Sequence, residues 1–311
     1  MADKPTIHIL GSGALGSLWA TKLSRNNNVI LLIKGSKLST SNKTHQFQFI
    51  DQEQSTTLTF PCEPSVSSSE SNPPIDILLV FTKSYDTLSA IQQLKNRISP
   101  STRIVLFQNG MGSQQAIAQL LPQTSLYAAS TTEGANRPDP QTVIYAGEGE
   151  TWFGAISTAH SLDEPKKILS LLSSSGLKVF HTQNIWQKLW FKLAVNCAIN
   201  PFTALLNCKN GELIGQPLFD THITPLCHEL SHAMKLNNIE ASPAELQSIV
   251  EDVIKRTANN VSSMLQDVRA TKQTEIEYIN GYIESIAQQN NQYFPVNFSL
   301  LEKVKRLRED A

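Results

Sequence analysis

The sequence predicts an α/β fold, in which an N-terminal doubly wound sheet over residues 1–183 precedes an all-helical domain over residues 184–311. Two observations support this fold class. Short apolar runs typical of strands alternate with helical stretches through the first half of the chain, as in sheets that carry helices on both faces. Beyond about residue 184 the apolar residues recur with the period of a helix instead.

The alternation in the first half gives the order of the predicted elements. Apolar runs predict strands at residues 6–10, 28–33, 75–81, 103–108 and 126–131. Helical patterns fall between them at residues 11–25, 87–98 and 113–121. The run IDILLVF has no polar face after its first residues, as expected of a parallel strand covered on both sides. A hairpin is predicted near residues 46–60, and residues 141–155 should form antiparallel strands at the edge of the sheet.

The second half of the chain carries long helical patterns. The run WFKLAVNCAIN at 190–200 has the composition of a buried helix, and the apolar residues of 246–268 follow one helical stripe. Ser263 lies off that stripe and Asn260 lies on its flank one turn earlier, so both are expected at the edge of a core. Further helices are predicted at residues 274–289 and 298–308.

The composition excludes several classes of protein. The 311 residues suffice for about two domains, and 26 basic against 27 acidic residues leave a net charge of -1 without a footprint for nucleic acid or an anionic membrane. The run TIHIL near the N-terminus lacks the layout of a signal peptide, and the strongest later run, IDILLVF, is far too short to span a membrane. The four cysteines form no close pair and no metal spacing. We expect a cytoplasmic protein, monomeric or homodimeric.

Three glycines join the first predicted strand to the first helix. Gly11, Gly13 and Gly16 form the pattern G-x-G-x-x-G. In such a loop the first glycine makes the turn, the second lets a pyrophosphate approach the backbone, and the third allows close packing of helix on strand. The helix N-terminus adds amide donors for phosphate. The motif predicts a Rossmann-type domain that binds a dinucleotide, and the alternative is a glycine-rich turn without a ligand.

The end of the second predicted strand is where such domains distinguish their cofactors. A site for NAD carries an acidic residue there, whereas this sequence has Lys34 and Lys37 in LLIKGSK. An ammonium group suits the additional 2′-phosphate of NADPH. The sequence therefore favours NADPH over NADH, although lysines on a protein surface commonly bind nothing.

Two further strand ends carry polar residues where ligands of such sheets bind. Lys83 follows the strand at 75–81, and Asn109 follows the strand at 103–108. A lysine and an amide at neighbouring strand ends suit a nicotinamide ribose or a substrate. The alternatives are an ordinary lysine at the start of a helix and a turn built on the Asn-Gly pair.

A polar stripe interrupts the apolar helix at 190–200. Lys192, Asn196 and Asn200 recur at every fourth residue, which places them on one face of the helix. This face either contacts water or lines a polar pocket. The amides carry donors and acceptors without charge, and the stripe does not continue as further charged residues, so we favour the pocket.

The blocks that carry these features resemble one known family over nearly the whole chain. The ketopantoate reductase family has the same order and spacing of GSGALGS, TKSYDT, QNGMG, STTEGA, WFKLAVNCAINPFTALLNCKNGEL and NNVSSMLQDVRATKQTEIEYINGY. The resemblance implies an NADPH-dependent oxidoreductase that reduces a small 2-keto acid, 2-dehydropantoate, to (R)-pantoate. This is a step towards pantothenate and coenzyme A, and the active site would lie in the crevice between the two domains.

The resemblance also implies roles for single residues, with Lys192 as the catalytic proton donor. It implies that the substrate is bound by Asn109, Lys192, Asn196, Asn200, Asn210, Ser263, Met264, Leu265 and Gln266. It implies that NADPH is bound by Gly11, Ser12, Gly13, Ala14, Leu15, Gly16, Lys34, Lys83, Asn109, Ala135 and Glu275. Two positions depart from the family pattern. Lys34 replaces an arginine found in many members, which gives a weaker phosphate fork, and Glu133 replaces a histidine.

The chemistry of keto-acid reduction suits the polar stripe. Hydride transfer to the carbonyl carbon builds negative charge on the oxygen, which needs a cation or an acid beside it. Lys192 serves as both if burial lowers its pKa towards the working pH. Taken singly, the other candidates have plainer explanations: Asn210 as a turn residue, Ser263 as a serine facing water, and Glu275 as a solvated glutamate.

Other functions remain open at this point. The motif HELSH places His228 and His232 as in zinc proteases, with Glu251 downstream, but so short a motif arises easily by chance and no metal is expected. A different dehydrogenase of the 3-hydroxyacid or 6-phosphogluconate type would have the same two domains. A non-catalytic NADPH sensor would keep the glycine loop and would have no use for Lys192.

Overall fold

The computed structural model describes residues 4–34, 43–66, 73–157 and 164–307. The chain divides into two compact units. The first comprises Met1–Gln108 and Ser113–Trp186, and the second comprises Asn109–Gly112 and Gln187–Ala311. The boundary proposed after residue 183 lies close to this division, and the short segment 109–112 belongs by its contacts to the second unit. Lys37 lies outside the described residues.

The described part of the first unit contains strands β1–β11 and helices α1–α4. The strands are β1 (Thr6–Leu10), β2 (Asn28–Ile33), β3 (Thr44–Asp51), β4 (Gln54–Pro64), β5 (Ile77–Val80), β6 (Arg103–Leu106), β7 (Ser125–Thr131), β8 (Gly134–Asp139), β9 (Thr142–Gly147), β10 (Thr151–Ala155) and β11 (Val179–His181). The helices are α1 (Ala14–Leu23), α2 (Ser84–Gln93), α3 (Ser113–Leu120) and α4 (Glu164–Ser173).

These strands form one mixed sheet in the order β11-β10-β7-β6-β5-β1-β2-β4-β3-β9-β8. Its centre is the predicted parallel set: β1 pairs with β2 and β5, and β6 pairs with β5 and β7, all in parallel. The predicted hairpin is β3–β4, which is antiparallel. The antiparallel strands expected within 141–155 lie at both edges, since β9 pairs with β8 and β10 pairs with β7.

Helices cover both faces of the parallel strands, which confirms the doubly wound fold. Alternate residues of each strand face opposite sides. One core cluster joins Ile9 of β1 to Leu18 of α1 and Leu172 of α4. The other joins Leu10 of β1 to Ile91 of α2 and Ile117 of α3. The glycine loop thus lies at the end of a strand that is buried on both faces.

Several boundaries differ from those predicted. β5 and β6 each have four residues and are shorter than the apolar runs that predicted them. The helix predicted at 87–98 begins earlier, because Lys83 is extended and α2 starts at Ser84. It also ends earlier, at Gln93, and continues as a separate 3-10 helix at Lys95–Arg97. Apolar content therefore predicted the existence of these elements better than their limits.

A buried polar cluster lies beneath the parallel strands. His8 of β1 and Arg97 are 4% and 3% exposed. The Arg97 guanidinium contacts the Glu63 carboxylate at 2.7 Å, and His8 Nε2 lies 3.6 Å from the same oxygen. Burial lowers the pKa of His8, and the Glu63 carboxylate opposes part of that shift; the smaller effects of Arg97 and Asp76 lower and raise it, respectively. The folded protein therefore holds His8 neutral to lower pH than an unfolded chain does.

This cluster predicts acid sensitivity of the fold. The unfolded chain takes up a proton on His8 near its ordinary pKa of 6.5, whereas the folded chain does not. The free energy of unfolding should therefore fall as the pH drops below about 6.5 and stop falling below the folded-state pKa of His8. Urea denaturation at a series of pH values measures this. His8→Gln should flatten the dependence in that range, and an equally steep dependence in His8→Gln would assign it to other groups.

The second unit is helical, as predicted. Its helices within the described residues are α5 (Ile185–Leu206), α6 (Pro217–Leu236), α7 (Pro243–Arg256), α8 (Ser263–Arg269), α9 (Ile276–Gln289) and α10 (Pro295–Arg306). In that part of the chain α5 alone has the length and apolar content of a membrane span, and 67% of its apolar window is buried inside the protein. A core helix of a folded domain has the same properties.

Helix α5 contains a proline, and a buried amide compensates for it. Pro201 has no N–H, so the Cys197 carbonyl loses its usual donor four residues later. The Asn280 amide lies 3.5 Å from that carbonyl and donates to Asn297 Oδ1 at 3.0 Å. Asn297 in turn donates to the Asn280 carbonyl at 3.0 Å. This amide pair ties α5 to α9 and α10 next to the polar stripe.

The continuous helical stripe expected over 246–268 is wrong, because the structure has two helices there. α7 ends at Arg256 and α8 begins at Ser263, where the Ser262 hydroxyl accepts from Leu265 N–H as an N-cap. The intervening carbonyls of Ala258 and Asn260 accept N–H groups from residues 211 and 210. Asn260 is thus an exposed residue of the connection, and Ser263 is the exposed first residue of a helix. The spacing of apolar residues continues from α7 into α8, so it did not reveal the break at the Ser262 cap.

The motif HELSH has a structural explanation in α6. Both carboxylate oxygens of Glu229 accept backbone N–H groups at the start of α10, from Val296 at 2.9 Å and Asn297 at 2.8 Å. His228 and His232 are exposed, and the His232 ring meets Phe294 edge to face. Glu229 therefore caps a helix, which accounts for the acidic residue of the motif without a metal.

Candidate functional site

The glycine loop between β1 and α1 has the geometry of a phosphate-binding turn. Gly11 has φ +100°, and a Cβ there would lie 2.6 Å from the backbone at Phe81 and Thr82. A Cβ at Gly16 would lie 2.0 Å from the Gly11 carbonyl oxygen. These two positions therefore require glycine for the turn and for close packing of α1 on β1.

Gly13 differs from its two neighbours because the fold leaves space beside it. Its backbone is extended, and a Cβ there would meet no atom of the described residues within 4 Å. Gly13 is the N-cap of α1 and provides no side-chain cap for the first amide groups of the helix. Open space in front of uncapped amides fits the pyrophosphate of a dinucleotide. The loop of residues 11–16 therefore suits the predicted cofactor.

Lys34 and Lys83 lie near one another at the ends of β2 and β5. The Lys34 ammonium is exposed and lies 3.9 Å from the Asp86 carboxylate in the first turn of α2. Lys83 is the extended residue before that helix, and its carbonyl accepts the Asp86 N–H at 2.9 Å. The structure thus adds an acidic residue to this edge that the sequence did not indicate, because Asp86 is distant from Lys34 along the chain.

β8 carries predicted Ala135 and an arginine that the sequence did not single out. Ala135 pairs with Tyr145 of β9 and packs against the core that contains α1. Two residues later, Arg137 Nη1 donates to the carbonyl oxygen of Ser12 in the glycine loop and lies 3.4 Å from Ser17 Oγ. No spacing in the sequence connects Arg137 to the loop, since the contact joins residues 125 positions apart.

Glu133, the departure from the family pattern, is buried, and one oxygen of its carboxylate accepts two hydrogen bonds. Its carboxylate accepts the Tyr145 hydroxyl at 2.7 Å and the Gly149 N–H at 3.1 Å. Both partners belong to the antiparallel edge that follows it in the chain. Glu133 therefore fixes the end of the β8–β9 hairpin, and this substitution is compensated within the fold.

Lys192 of α5 is the central residue of the second unit's polar face. Its side chain keeps partial contact with solvent. Desolvation lowers the pKa of Lys192 to about 8, and the carboxylate of Glu275, itself 5% exposed, opposes part of that shift. A lysine with this pKa is mostly charged at neutral pH and gives up its proton more easily than an exposed one. Such a group can act as both a cation and an acid.

The two asparagines of the stripe are poised for a ligand. Asn200 is 7% exposed and Asn196 is partly buried. Within the described residues, no protein group hydrogen-bonds either side-chain amide. Buried polar groups normally have partners, so amides that face one side of α5 together with Lys192 suit the oxygen atoms of a small polar molecule.

Two hydroxyl groups connect this stripe to the start of α8. Thr203 Oγ1 donates to the Asn200 carbonyl at 2.9 Å and lies 2.7 Å from Ser262 Oγ. Ser262 Oγ accepts the Leu265 N–H at 3.1 Å. Thr203 is fully buried and Ser262 nearly so. This chain of bonds sets the position of Ser263 relative to Asn200.

Thr203→Val should lower the free energy of unfolding by about 1–2 kcal/mol, because it removes a buried hydroxyl from both partners at nearly constant volume. Thr203→Ser keeps the hydroxyl and should recover most of the hydrogen-bonding contribution. Chemical denaturation of the two variants and the natural protein measures the difference. A valine variant as stable as the natural protein would show that the hydroxyl chain contributes nothing.

The remaining predicted substrate residues differ in their surroundings. Asn210 is buried and begins a 3-10 helix, and its amide donates to Thr257 Oγ1 at 2.9 Å. Met264 and Leu265 are 2% and 1% exposed, so their side chains belong to the core. Ser263 is exposed, and Gln266 donates its amide to the Val261 carbonyl at 3.0 Å. Ser263 is therefore the residue of the segment 263–266 whose side chain is most available to a ligand.

The segment Asn109–Gly112 contacts α9 directly after Glu275. The Met111 N–H donates to the Tyr278 carbonyl at 2.8 Å. Gly110 has φ +79°, and a Cβ there would lie 2.3 Å from the same carbonyl oxygen. The Asn-Gly pair thus lies in a bend that approaches α9 closely, and this bend belongs to the same compact unit as Lys192 and Glu275.

Comparison with known proteins places these features in one family. Residues 7–158 match the family model of ketopantoate reductase PanE/ApbA, and residues 184–308 match the model of its C-terminal part. The chain is 31% identical to 2-dehydropantoate 2-reductase of Yersinia pestis, over 98% of this chain and 95% of that protein. It is 34% identical to the enzyme of the same name from Salmonella typhi, over 96% of this chain and 94% of that protein.

Solved structures show the same fold. A PanE/ApbA family ketopantoate reductase from Ralstonia eutropha JMP134 superposes with a TM-score of 0.85 at 21% identity, over 98% of this chain and 99% of that one. D-mandelate dehydrogenase, solved with NADH and anilino(oxo)acetate, superposes with a TM-score of 0.89 at 24% identity, over 98% of both chains. At these identities the structures establish the fold alone, whereas the family models and the curated relatives establish the family. The chain belongs to the ketopantoate reductase family.

Proposed function

We propose that this protein catalyses the NADPH-dependent reduction of 2-dehydropantoate to (R)-pantoate, a step of pantothenate and coenzyme A biosynthesis. The observation that carries the proposal is the stripe of Lys192, Asn196 and Asn200 on one face of α5, in a chain that also has a dinucleotide loop. Curated relatives at 31–34% identity over nearly the full length bear the name of this activity. The glycine loop belongs to the first compact unit and Lys192 to the second.

NADPH, when bound, supplies the hydride that reduces the 2-keto carbon. Residues 11–16 hold its pyrophosphate through the free amides at the start of α1. Lys34 is proposed to meet the 2′-phosphate. Its present contact with Asp86 joins two exposed groups and is worth at most about 1 kcal/mol, so exchanging it for a phosphate costs little. Lys83, Ala135, Asn109 and Glu275 complete the proposed cofactor contacts.

The Lys192 ammonium neutralises the charge that develops on the keto oxygen and then gives that oxygen its proton. The unpartnered amides of Asn196 and Asn200 hold the hydroxyl and carboxylate of the substrate, which keeps the carbonyl beside the ammonium. Asn109, Asn210 and the segment Ser263–Gln266 are proposed as further substrate contacts. Glu275 keeps Lys192 protonated against the desolvation that lowers its pKa.

Turnover should depend on pH through Lys192. The donor is needed in its charged form, and its pKa is about 8. The turnover number should therefore be nearly constant below that pH and fall about tenfold per pH unit above it. Stopped-flow measurement of the reduction step across this range, with both substrates saturating, gives the profile. A step that is flat well above pH 8 would contradict the assigned proton donor.

The direct test of the function is loss of NADPH absorbance on addition of 2-dehydropantoate, with chiral analysis of the pantoate formed. A panel of other 2-keto acids is assayed in parallel, because other dehydrogenases share this architecture. Saturable NADPH oxidation that prefers 2-dehydropantoate is expected. NADPH binding without turnover of that substrate would refute the substrate assignment and favour a different dehydrogenase or a sensor.

The oligomeric state and location belong to the same proposal. A solved ketopantoate reductase from Staphylococcus aureus is described as dimeric. We propose a cytoplasmic protein that is a monomer or a homodimer, with a small molecule as its substrate and neither nucleic acid nor membrane as a partner. Light scattering of the purified protein measures its mass in solution.

A further inference from the structure

Arg137 lies beside the glycine loop, and its guanidinium contacts two carbonyls, a hydroxyl and an imidazole of the described residues. Nη1 donates to the Ser12 carbonyl and lies 3.4 Å from Ser17 Oγ. Nη2 donates to the Pro140 carbonyl at 2.5 Å and lies 3.3 Å from His45 Nε2. The guanidinium thus bridges the β8–β9 hairpin, β3 and the start of α1.

The charge of Arg137 has no counter-ion in direct contact with it among the described residues. No carboxylate of the described residues lies within 4 Å of its guanidinium, and Asp139, whose charge acts on it from further away, is exposed to solvent. The arginine is partly buried, and burial lowers its pKa. Removing a cation from water is unfavourable unless an anion compensates for it. The anion that the neighbouring loop suits is a phosphate.

We infer that Arg137 is a cofactor-binding residue, whose positive charge strengthens the binding of the dinucleotide pyrophosphate at the glycine loop. The inference deepens the proposed function and rests on it. Arg137 touches Ser12 and Ser17, which flank Gly13 and the first amides of α1. Its charge therefore adds to the positive end of the helix dipole at the same point.

The position of Arg137 favours the pyrophosphate over the 2′-phosphate as the group that its charge binds. The 2′-phosphate of a dinucleotide in this fold is read at the end of β2, where Lys34 lies, whereas Arg137 contacts the loop after β1. The pyrophosphate is common to NADPH and NADH. Arg137 should therefore raise affinity for both cofactors alike, and Lys34 should act on NADPH alone.

Two variants separate the charge of Arg137 from its hydrogen bond. Arg137→Gln keeps an amide that can donate to the Ser12 carbonyl and removes the charge, while Arg137→Lys keeps the charge. Dissociation constants for NADPH and NADH are measured by fluorescence titration at low and high salt. We expect Arg137→Gln to weaken both cofactors by about tenfold and to reduce the salt dependence of binding, with Arg137→Lys closer to the natural protein. Lys34→Ala is the matched control and should weaken NADPH only.

Each other result overturns the inference. Unchanged affinity in Arg137→Gln, or equal losses in the glutamine and lysine variants, would mean that the arginine only braces the loop. A loss confined to NADPH would assign its charge to the 2′-phosphate. Thermal denaturation of each variant ensures that folded protein is compared. If the natural protein binds neither cofactor, the proposed function fails, whereas binding by the natural protein with unaffected variants removes this inference alone.

Discussion

Lys192→Ala is expected to lower the turnover number for 2-dehydropantoate by about a thousandfold, while the dissociation constant for NADPH changes little. The variant removes both the cation beside the developing oxyanion and the proton that the oxygen receives. The glycine loop that holds the cofactor belongs to the other compact unit and is left intact. Steady-state kinetics and fluorescence titration of NADPH measure the two effects separately.

Two further substitutions sharpen this result. Lys192→Arg keeps a positive charge, but a guanidinium with a pKa above about 12 releases its proton poorly, so turnover should recover only in part. Lys235→Ala removes an exposed lysine from the last turn of α6 and should leave both constants unchanged. If Lys192→Ala retained turnover within a few-fold of the natural protein, the polar stripe would have to be assigned to binding alone.

The elements of the site were predictable where one local pattern carries the information. The glycine spacing gives the loop, and the interval of four residues places Lys192, Asn196 and Asn200 on one helix face whatever the rest of the chain does. Such patterns depend on backbone geometry over a few residues. The sequence therefore sufficed for the fold class, for the loop and for the stripe.

The positions that failed depend on partners distant in the chain. The break between α7 and α8 follows from the Ser262 cap and from Asn210 and Gly211, which bond the connecting carbonyls. Apolar periodicity carries no information on either. In the same way, Asp86 reaches Lys34 and Arg137 reaches Ser12 only after the sheet has formed. Polar contacts of this kind have no period along the chain, so sequence inspection cannot find them.

The pKa of Lys192 shows the same division between local and tertiary information. Its place on a helix face follows from the sequence, but its pKa follows from burial and from Glu275, the residue before α9, four helices further along the chain. Glu275 alone would be taken for a solvated surface residue, yet it is 5% exposed. The desolvation of Lys192 outweighs the attraction of the Glu275 carboxylate. The pKa of the lysine is therefore lowered although an opposite charge is near.

Gly13→Val is expected to leave the fold intact and to weaken NADPH and NADH by up to about a hundredfold. The backbone at Gly13 is extended, which valine adopts without strain, and the space beside it is open to a Cβ. The free energy of unfolding should therefore change little, because valine restricts the unfolded chain more than glycine does but is a poorer N-cap. That open space is where the pyrophosphate has to approach the amides of α1, and the valine side chain fills it.

Two matched glycines make this prediction decisive. Gly147 in β9 also has no atom within 4 Å of a Cβ, so Gly147→Val should affect neither stability nor cofactor binding. Gly16→Ala places a Cβ 2.0 Å from the Gly11 carbonyl oxygen and should destabilise the first unit itself. Urea denaturation and NADPH titration of the three variants separate a steric block of the ligand from damage to the loop. Full cofactor affinity in Gly13→Val would show that the dinucleotide does not bind next to this glycine. The glycine loop would then serve only to pack α1 on β1.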